Sequence, residues 1–221
     1  MKKFLMVLAF SLLSLSIASA SSIPCTVSTG LNNPVTDMTT VTCGGLTFDN
    51  FEVIDATGGA PGIIDITGAA YNSPECPGEV CLSFDPNLFA FQDEAFLFQV
   101  WGGIDQIDMS VGGQNAQITE LACSVPVPDS GAQLGVCPGA DLLGSITVAS
   151  NEAASLCPGN TCQPITPTNP VYIFKNIGVQ DGGLSEFTQT FEPTVPEPVS
   201  MVLLGSGLLG LGLLRRRSRK S

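Results

Sequence analysis

The acidic side chains are the residues of this chain best suited to acid–base chemistry. The sequence has 20 Asp and Glu residues and no His, which removes Ser-His-Asp and Cys-His catalysis and the usual catalytic zinc sites. Two adjacent carboxylates can hydrolyse a glycosidic bond, and the nominal pairs are Asp93 with Glu94 and Asp105 with Asp108. Scattered acids produce such pairs by chance, and the chain has neither a Gly-x-Ser-x-Gly motif nor a phosphate-binding loop. We therefore predict a protein that is not an enzyme, with no catalytic residue and no cofactor.

The charge distribution excludes whole classes of partner. Residues 21–195 contain every acidic residue except Glu197, whereas Lys175 is the single basic residue there. Nucleic-acid binding needs several Lys or Arg side chains to displace counterions from phosphates, so no nucleic-acid partner is expected. The acidity favours solubility or, as the alternative, calcium binding, although no EF-hand pattern supports it. The candidate ligands for that alternative are acids in predicted turns: Asp55, Asp65, Asp105, Asp108 and Asp181.

The first 20 residues have the layout of a secretory signal. Lys2 and Lys3 precede an apolar stretch over residues 4–15, and Ala18-Ser19-Ala20 offers small residues to a signal peptidase. We expect a signal peptide over residues 1–20, followed by an extracytoplasmic domain over residues 21–190. That domain is long enough to build one hydrophobic core.

The cysteines of an exported chain should be oxidised. Two pairs of cysteines share a pattern, "CPGEVC" at 76–81 and "CPGNTC" at 157–162, in which Pro then Gly favours a type II turn. This makes local disulfides plausible and leaves the other cysteines to pair with their neighbours in sequence, but many other connectivities remain open. Zinc is the alternative for Cys-x4-Cys pairs, but without His and in an oxidising compartment we expect no metal. The favoured pairs are Cys25–Cys43, Cys76–Cys81, Cys123–Cys137 and Cys157–Cys162.

Alternating apolar residues predict strands throughout the extracytoplasmic domain. Phe96, Phe98 and Val100 alternate in one segment and Ile107, Met109 and Val111 in another, which is the period of a half-buried strand. Glycine-rich breaks separate such segments, and no helical period is sustained. The sequence therefore predicts a mainly β fold, either an antiparallel β-sandwich or an open barrel-like sheet, stapled by disulfides. The aromatic residues expected in its core are Phe48, Phe51, Phe96, Phe98, Trp101, Tyr172 and Phe174.

The C-terminal residues read as a linker, a membrane span and a basic tail. Residues 191–198 are rich in proline, which predicts a stiff extended linker. Residues 199–214 are uncharged and apolar, slightly short for a single transmembrane helix but able to span with local thinning of the bilayer. Residues 215–221 form a basic tail that should stay cytoplasmic, so the preceding domain lies outside the inner membrane. The tail's arginines are Arg215, Arg216, Arg217 and Arg219.

The order of these C-terminal features resembles the PEP-CTERM sorting signal. Pro196, Glu197 and Pro198 stand directly before the apolar span and the arginine cluster, and they match the signature triplet of that family of exported bacterial proteins. The resemblance implies processing by an exosortase, an integral-membrane cysteine transpeptidase, after insertion in the inner membrane through residues 199–214. It also implies a Gram-negative host that makes exopolysaccharide, with delivery to the cell surface or extracellular matrix and partners among matrix components.

Two classes of function follow from these features. The sorting tail, the disulfides and the lack of catalytic residues favour a structural or interaction protein of the cell envelope or biofilm matrix. The alternative is a surface binding module for calcium or carbohydrate. Stabilisation by a ligand separates the two, because a ligand that binds the folded state raises the melting temperature by mass action.

Overall fold

The computed structural model describes residues 23–129, 135–137, 139–150, 152–155, 165 and 168–194. This part of the chain is mainly β, with a 3-10 turn at Gly139–Asp141, and it contains no helix long and apolar enough to cross a membrane. The prediction of a mainly β fold is confirmed. The strands are β1 Ile23–Pro24, β2 Thr26–Val27, β3 Val41–Cys43, β4 Leu46–Thr57, β5 Asp65–Ser73, β6 Cys76–Asp85, β7 Leu88–Phe89, β8 Asp93–Trp101, β9 Ile104–Val111, β10 Gln114–Cys123, β11 Leu142–Ala149, β12 Glu152–Ser155, β13 Val171–Leu184 and β14 Phe187–Pro193.

The strands form two antiparallel sheets. The smaller sheet has the order β1-β5-β6-β14-β9-β12, and the larger has the order β11-β10-β13-β8-β4-β3-β2, with β7 also paired to β13. Every pair between named strands is antiparallel. Strands distant in sequence become neighbours, since β13 lies between β10 and β8. The sandwich alternative is thus the one that the structure adopts.

Phenylalanine rings fill the space between the two sheets. The larger sheet contributes its rings from β4 and β8, and the smaller sheet contributes them from β6 and β14. The centroids of Phe48 and Phe191 lie 4.9 Å apart across the core, and those of Phe84 and Phe96 lie 5.5 Å apart. Close, inclined rings of this kind add to the stability gained from burial alone. The fully buried members are Phe48, Phe51, Phe84, Phe96, Phe98, Phe187 and Phe191.

The remaining predicted core aromatics lie on the outer face of the larger sheet. Phe174 is buried there with Cys123 and Cys137 in a second, smaller cluster. Tyr172 packs against that cluster, and Trp101 is 39% exposed. Odd- and even-numbered residues of a strand face opposite ways, so these positions cannot reach the space between the sheets.

Three disulfides join cysteines that are neighbours in sequence. Cys25 bonds to Cys43, Cys76 to Cys81 and Cys123 to Cys137, as the favoured connectivity has them. Cys157 and Cys162 lie outside the described residues.

The chain around Cys76 differs from the predicted turn. Gly78 has the positive φ expected of a Pro-Gly pair, at 85°, but residues 76–85 form a continuous strand. The chain reverses just before it, at Pro74 and Glu75, and the register of β5 with β6 shifts between Tyr71 and Ser73. The glycine therefore serves a strand irregularity, and the Cys76–Cys81 bond spans that irregularity.

The last strand extends into the segment assigned to the linker. β14 continues to Pro193 because Phe191 is fully buried in the aromatic core. The extended linker can therefore begin only after Pro193. The signal peptide, the transmembrane span and the basic tail lie outside the described residues and stay predictions.

Candidate functional site

The outer face of the larger sheet carries an open groove lined mainly by polar side chains. Its volume is about 680 Å³. We call it the polar groove. It is lined by Phe91, Asp93, Gln117, Thr119, Asn176, Gly178, Val179, Gln180 and Asp181.

Strand register brings the groove residues together. Thr119 of β10 is opposite Asn176 of β13, and Gln117 is opposite Gly178. On the other side of β13, Gly178 is opposite Asp93 of β8. Side chains on one face of a sheet stand beside their cross-strand partners, so three strands present a row of amides, a hydroxyl and a carboxylate.

Gly178 makes room for the carboxylate of Asp93. A Cβ atom at this position would lie 2.6 Å from Asp93 Oδ1, closer than real Cβ contacts allow. The missing side chain lets the carboxylate lie across β13 on the floor of the groove. The present position of the Asp93 carboxylate therefore goes with a glycine in the middle of a central strand, where glycine otherwise weakens a sheet.

Phe91 forms the rim of the groove in a backbone conformation unusual for an aromatic residue. Its φ is 62°, a region that bulky residues rarely occupy. The conformation is held from both sides: the Phe91 N–H donates to the Val179 carbonyl at 3.0 Å, and the Val179 N–H donates to the Gln92 carbonyl at 2.9 Å. The Phe91 ring is 75% exposed. Backbone strain concentrates at functional sites, and here it holds an aromatic ring in solvent.

On the β10 side of the groove, an amide–carboxylate contact orders Asp181. The Asn115 side-chain amide donates to the carboxylate of Asp181 and, at 3.1 Å, to its backbone carbonyl. Asn115 has a φ of 50°, a conformation that asparagine tolerates better than most residues. Asp181 is thereby fixed as a hydrogen-bond acceptor.

A second depression of about 350 Å³ adjoins the groove and shares Thr119 and Asn176 with it. Asp55 and Leu121 also line it, and Phe174 adds an aromatic ring. The same outer face carries Trp101, whose indole Nε1–H donates to Asp49 Oδ1 at 3.0 Å. The two depressions therefore form one continuous surface on this face of the sheet.

The charge of this surface is negative. Asp93, Asp181 and Asp55 line it, and Lys175 is fully buried on the other face of β13. Anionic ligands are therefore repelled.

The predicted calcium ligands are dispersed. Asp181 lines the groove and Asp55 lines the adjoining depression, whereas Asp65, Asp105 and Asp108 belong to strands of the smaller sheet. Within the described ranges, no group of three or more His, Cys, Asp or Glu side chains is placed to hold a metal ion. Calcium binding stays a prediction.

The nominal catalytic pair Asp93 and Glu94 is divided between the two faces of β8. Asp93 lines the groove, while Glu94 is fully buried. Burial raises the pKa of Glu94 to about 7, and the backbone of Gly62 offsets only part of this effect. The Gly62 backbone does not reach the geometry of a full hydrogen bond, so neither carboxylate oxygen has a well-formed partner among the described residues. The two carboxylates cannot act on one bond.

Most groove residues could not be identified from the sequence. Gln117, Asn176 and Phe91 carry no motif, and only their positions on the outer face of neighbouring strands unite them. The feature of the sequence that could have indicated them is the polar–apolar alternation of β8, β10 and β13, which places their polar side chains on one face. The residues of the sorting signal, Pro196, Glu197, Pro198 and the tail arginines, lie beyond the part of the chain that the structure describes.

Comparisons with known proteins bear on the tail and on the described domain separately. Residues 194–218 match the family described as PEP-CTERM protein-sorting motif, which confirms the resemblance seen in the sequence. A comparison with curated proteins finds no match. Among solved structures, the chain is similar to one described as TmCBM61 in complex with beta-1,4-galactotriose, with 12% sequence identity and a TM-score of 0.32, covering 64% of this chain and 84% of that chain.

Proposed function

We propose that this protein, which carries a PEP-CTERM sorting signal and is exported for processing by an exosortase, is an interaction protein of the outer envelope or extracellular matrix. Its polar groove binds uncharged polysaccharide. The observation that supports this ligand class is the placement of the exposed Phe91 ring beside a row of amide, hydroxyl and carboxylate side chains.

The groove offers the chemistry that a sugar needs. Asn176 and Gln117 each supply two N–H donors and a carbonyl acceptor, and ionised Asp93 is an acceptor only. Such side chains pair with hydroxyl groups, which both donate and accept. The exposed ring of Phe91 provides an apolar surface for the C–H face of a sugar ring, in the way that aromatic side chains supply contact area at interfaces.

The charge of the domain sets the kind of polysaccharide. No basic side chain lines the groove, so an anionic polymer would meet like charge and find no counter-charge. A neutral polymer meets no such barrier. The ligand is therefore an uncharged matrix polysaccharide, and the role is binding without turnover.

Affinity electrophoresis through gels containing neutral or anionic polysaccharides tests the groove. We expect neutral polymers to retard the protein and Phe91→Ala and Asn176→Ala to lose most of that retardation. Phe89→Ala is the matched control, because Phe89 is 61% exposed and does not line the groove. Equal retardation of the Phe91 and Phe89 variants would refute the proposed site, and release of sugar fragments would refute a role without turnover.

The intact mass of the protein from its native host tests the sorting step. The membrane and medium fractions should contain a species that starts at Ser21 and lacks the basic tail. A full tail on all of the protein in the membrane would show a permanent anchor instead of exosortase processing. This outcome is independent of whether the groove binds polysaccharide.

A further inference from the structure

A buried amine, carboxyl and carboxamide meet between the two sheets. Lys175 of β13 contacts the carboxyl group of Glu120 on β10 and the side-chain carbonyl of Gln189 on β14. Lys175 and Gln189 are 0% exposed and Glu120 is 1% exposed. Met109 Sδ lies 3.6 Å from Lys175 Nζ, and the centroid of the Phe187 ring lies 5.5 Å from it. The three polar groups thus share an apolar enclosure.

An ordinary ion pair is a poor account of this cluster. Lys175 is the single basic residue of a domain whose surface is strongly acidic, yet it neutralises no surface charge. Taking two charges out of water costs several kcal/mol per ion, and apolar replacements of buried pairs are often as stable. Glu120 Oε1 also has no hydrogen-bond partner within the described part of the chain. We therefore infer that Lys175 acts in this cluster as an uncharged amine.

The surroundings favour the neutral forms of both titratable groups. Burial lowers the pKa of Lys175 and raises the pKa of Glu120, and their mutual attraction opposes both effects. Asp108 is the further acid that acts on Glu120, and it too raises the pKa of Glu120. A desolvated lysine with an uncharged amine is a nucleophile, and a neighbouring neutral carboxylic acid can donate and accept a proton.

Gln189 presents its carboxamide to that nucleophile. Its Oε1 contacts Lys175 Nζ, while its Nε2–H donates to the backbone carbonyl of Thr190 at 3.3 Å. The amide is therefore held from both ends, with its carbonyl oxygen on the same amine that contacts Glu120. Fixing two reacting groups in contact replaces a bimolecular encounter and supplies a large effective concentration.

We propose that Lys175 and Gln189 join in an intramolecular amide bond, with Glu120 as the residue that transfers the proton. The bond links β13 of the larger sheet to β14 of the smaller sheet across the core. It does not depend on the proposed polysaccharide binding.

The reaction is balanced without an oxidant or an added reactant. Lys175 Nζ, as the free amine, attacks Gln189 Cδ while Glu120 donates a proton to the carbonyl oxygen. The Cδ–Nζ bond forms and the Cδ–Nε2 bond breaks. Glu120 takes one proton from Nζ and delivers it to Nε2, which leaves as ammonia, and as the carbonyl re-forms Glu120 recovers the proton it gave to the oxygen. The product is a secondary amide and a carboxylic acid restored to its starting state.

Mass and trypsin resistance test the bond in the full chain as it is exported. After denaturation and reduction, the reaction predicts a mass lower by about 17 Da, the loss of one ammonia from the amide. Trypsin should fail to cut after Lys175, the single tryptic site between residue 4 and Arg215. An unchanged mass with cleavage after Lys175 would overturn the proposal. A loss of about 18 Da with Lys175 joined to Glu120 would also overturn it, because the carboxyl group would then be the acceptor.

Variants separate the roles within the cluster. Gln189→Ala should restore the full mass and tryptic cleavage after Lys175. Glu120→Met should do the same, since it removes the proton carrier and leaves both reacting groups. Glu52→Gln is the control, an exposed acid on β4 whose loss should leave the bond intact. Persistence of the bond in Glu120→Met would overturn the role of Glu120, and the mass of the wild-type chain decides the bond itself even if a variant fails to fold.

Discussion

Replacing Glu94 with methionine should flatten the dependence of stability on pH. Glu94 is fully buried on β8, neither oxygen has a hydrogen-bond partner among the described residues, and burial raises its pKa from 4.5 to about 7. Below the unfolded pKa both states hold the proton. Between the two values the unfolded chain releases it and the folded chain keeps it, so rising pH favours unfolding. The stability contributed by the neutral acid is therefore present at low pH and lost as pH rises through about 7.

The magnitude follows from the size of the shift. Each pKa unit corresponds to about 1.4 kcal/mol, so the folded state should lose roughly 3 kcal/mol between about pH 5 and about pH 8. In a domain of this length that equals roughly 6–12 °C in melting temperature. The chain contains no His, and histidine is the side chain that would otherwise dominate this pH range. Methionine has a similar volume and no charge, so it should remove the slope without opening a cavity.

Urea denaturation at the two pH values measures the effect. The wild type should lose roughly 3 kcal/mol of unfolding free energy and Glu94→Met should lose much less. Glu52→Gln, which changes an exposed acid on the neighbouring β4, should keep the wild-type slope. Equal losses in the wild type and Glu94→Met would refute the reasoning, because Glu94 would then be ionised in the folded state.

Two further predictions concern packing and backbone conformation. Phe98→Ala should lower the unfolding free energy by about 3–5 kcal/mol, since the ring is fully buried among other aromatic rings. The control Phe89→Ala should lower it by less than about 0.5 kcal/mol, because Phe89 is exposed. Equal urea midpoints for the two variants would contradict the assigned core. Gly113→Ala should lower the unfolding free energy clearly more than Gly45→Ala. Both glycines have positive φ, but a Cβ added at Gly113 lies 2.4 Å from the Gly183 carbonyl oxygen, whereas a Cβ added at Gly45 meets nothing. Similar melting temperatures for the two variants would contradict that difference.

The strands were predictable because alternation is a local property. Phe96, Phe98 and Val100 alternate in the sequence and face the core in the structure, since a strand turns every second side chain to the same side. The prediction of Trp101 as a core residue is wrong, because it rests on an aromatic residue in a β-rich segment and leaves out the parity of its position. Parity alone places Trp101 on the outer face.

The groove was not predictable, because it depends on pairing between distant strands. Asp93, Gln117 and Asn176 are far apart in the chain and meet because β13 inserts between β8 and β10. Periodicity identifies each strand but carries no information about its neighbours. The order of strands in a sheet follows from the packing of the whole domain.

Lys175 shows what composition reveals and what it hides. The sequence marks it as the single basic residue of the domain, and that count excluded nucleic acid as a partner. Its burial is not visible in the segment "VYIFKNIGV", where a lysine reads equally well as an edge or surface residue. Only cross-strand register places it opposite Glu120 and above Gln189.

The position of β14 decides how the domain responds to mechanical load. The strand is central, bonded to β6 on one side and β9 on the other, and it ends at Pro193 just before the segment that leads to the sorting signal. Tension on that segment therefore enters the domain along the axis of β14. It loads two hydrogen-bonded ladders at once and must extract Phe187 and Phe191 from the core. Resistance to forced unfolding is set by the barrier to that first rupture, and here that rupture requires both ladders of β14 to break.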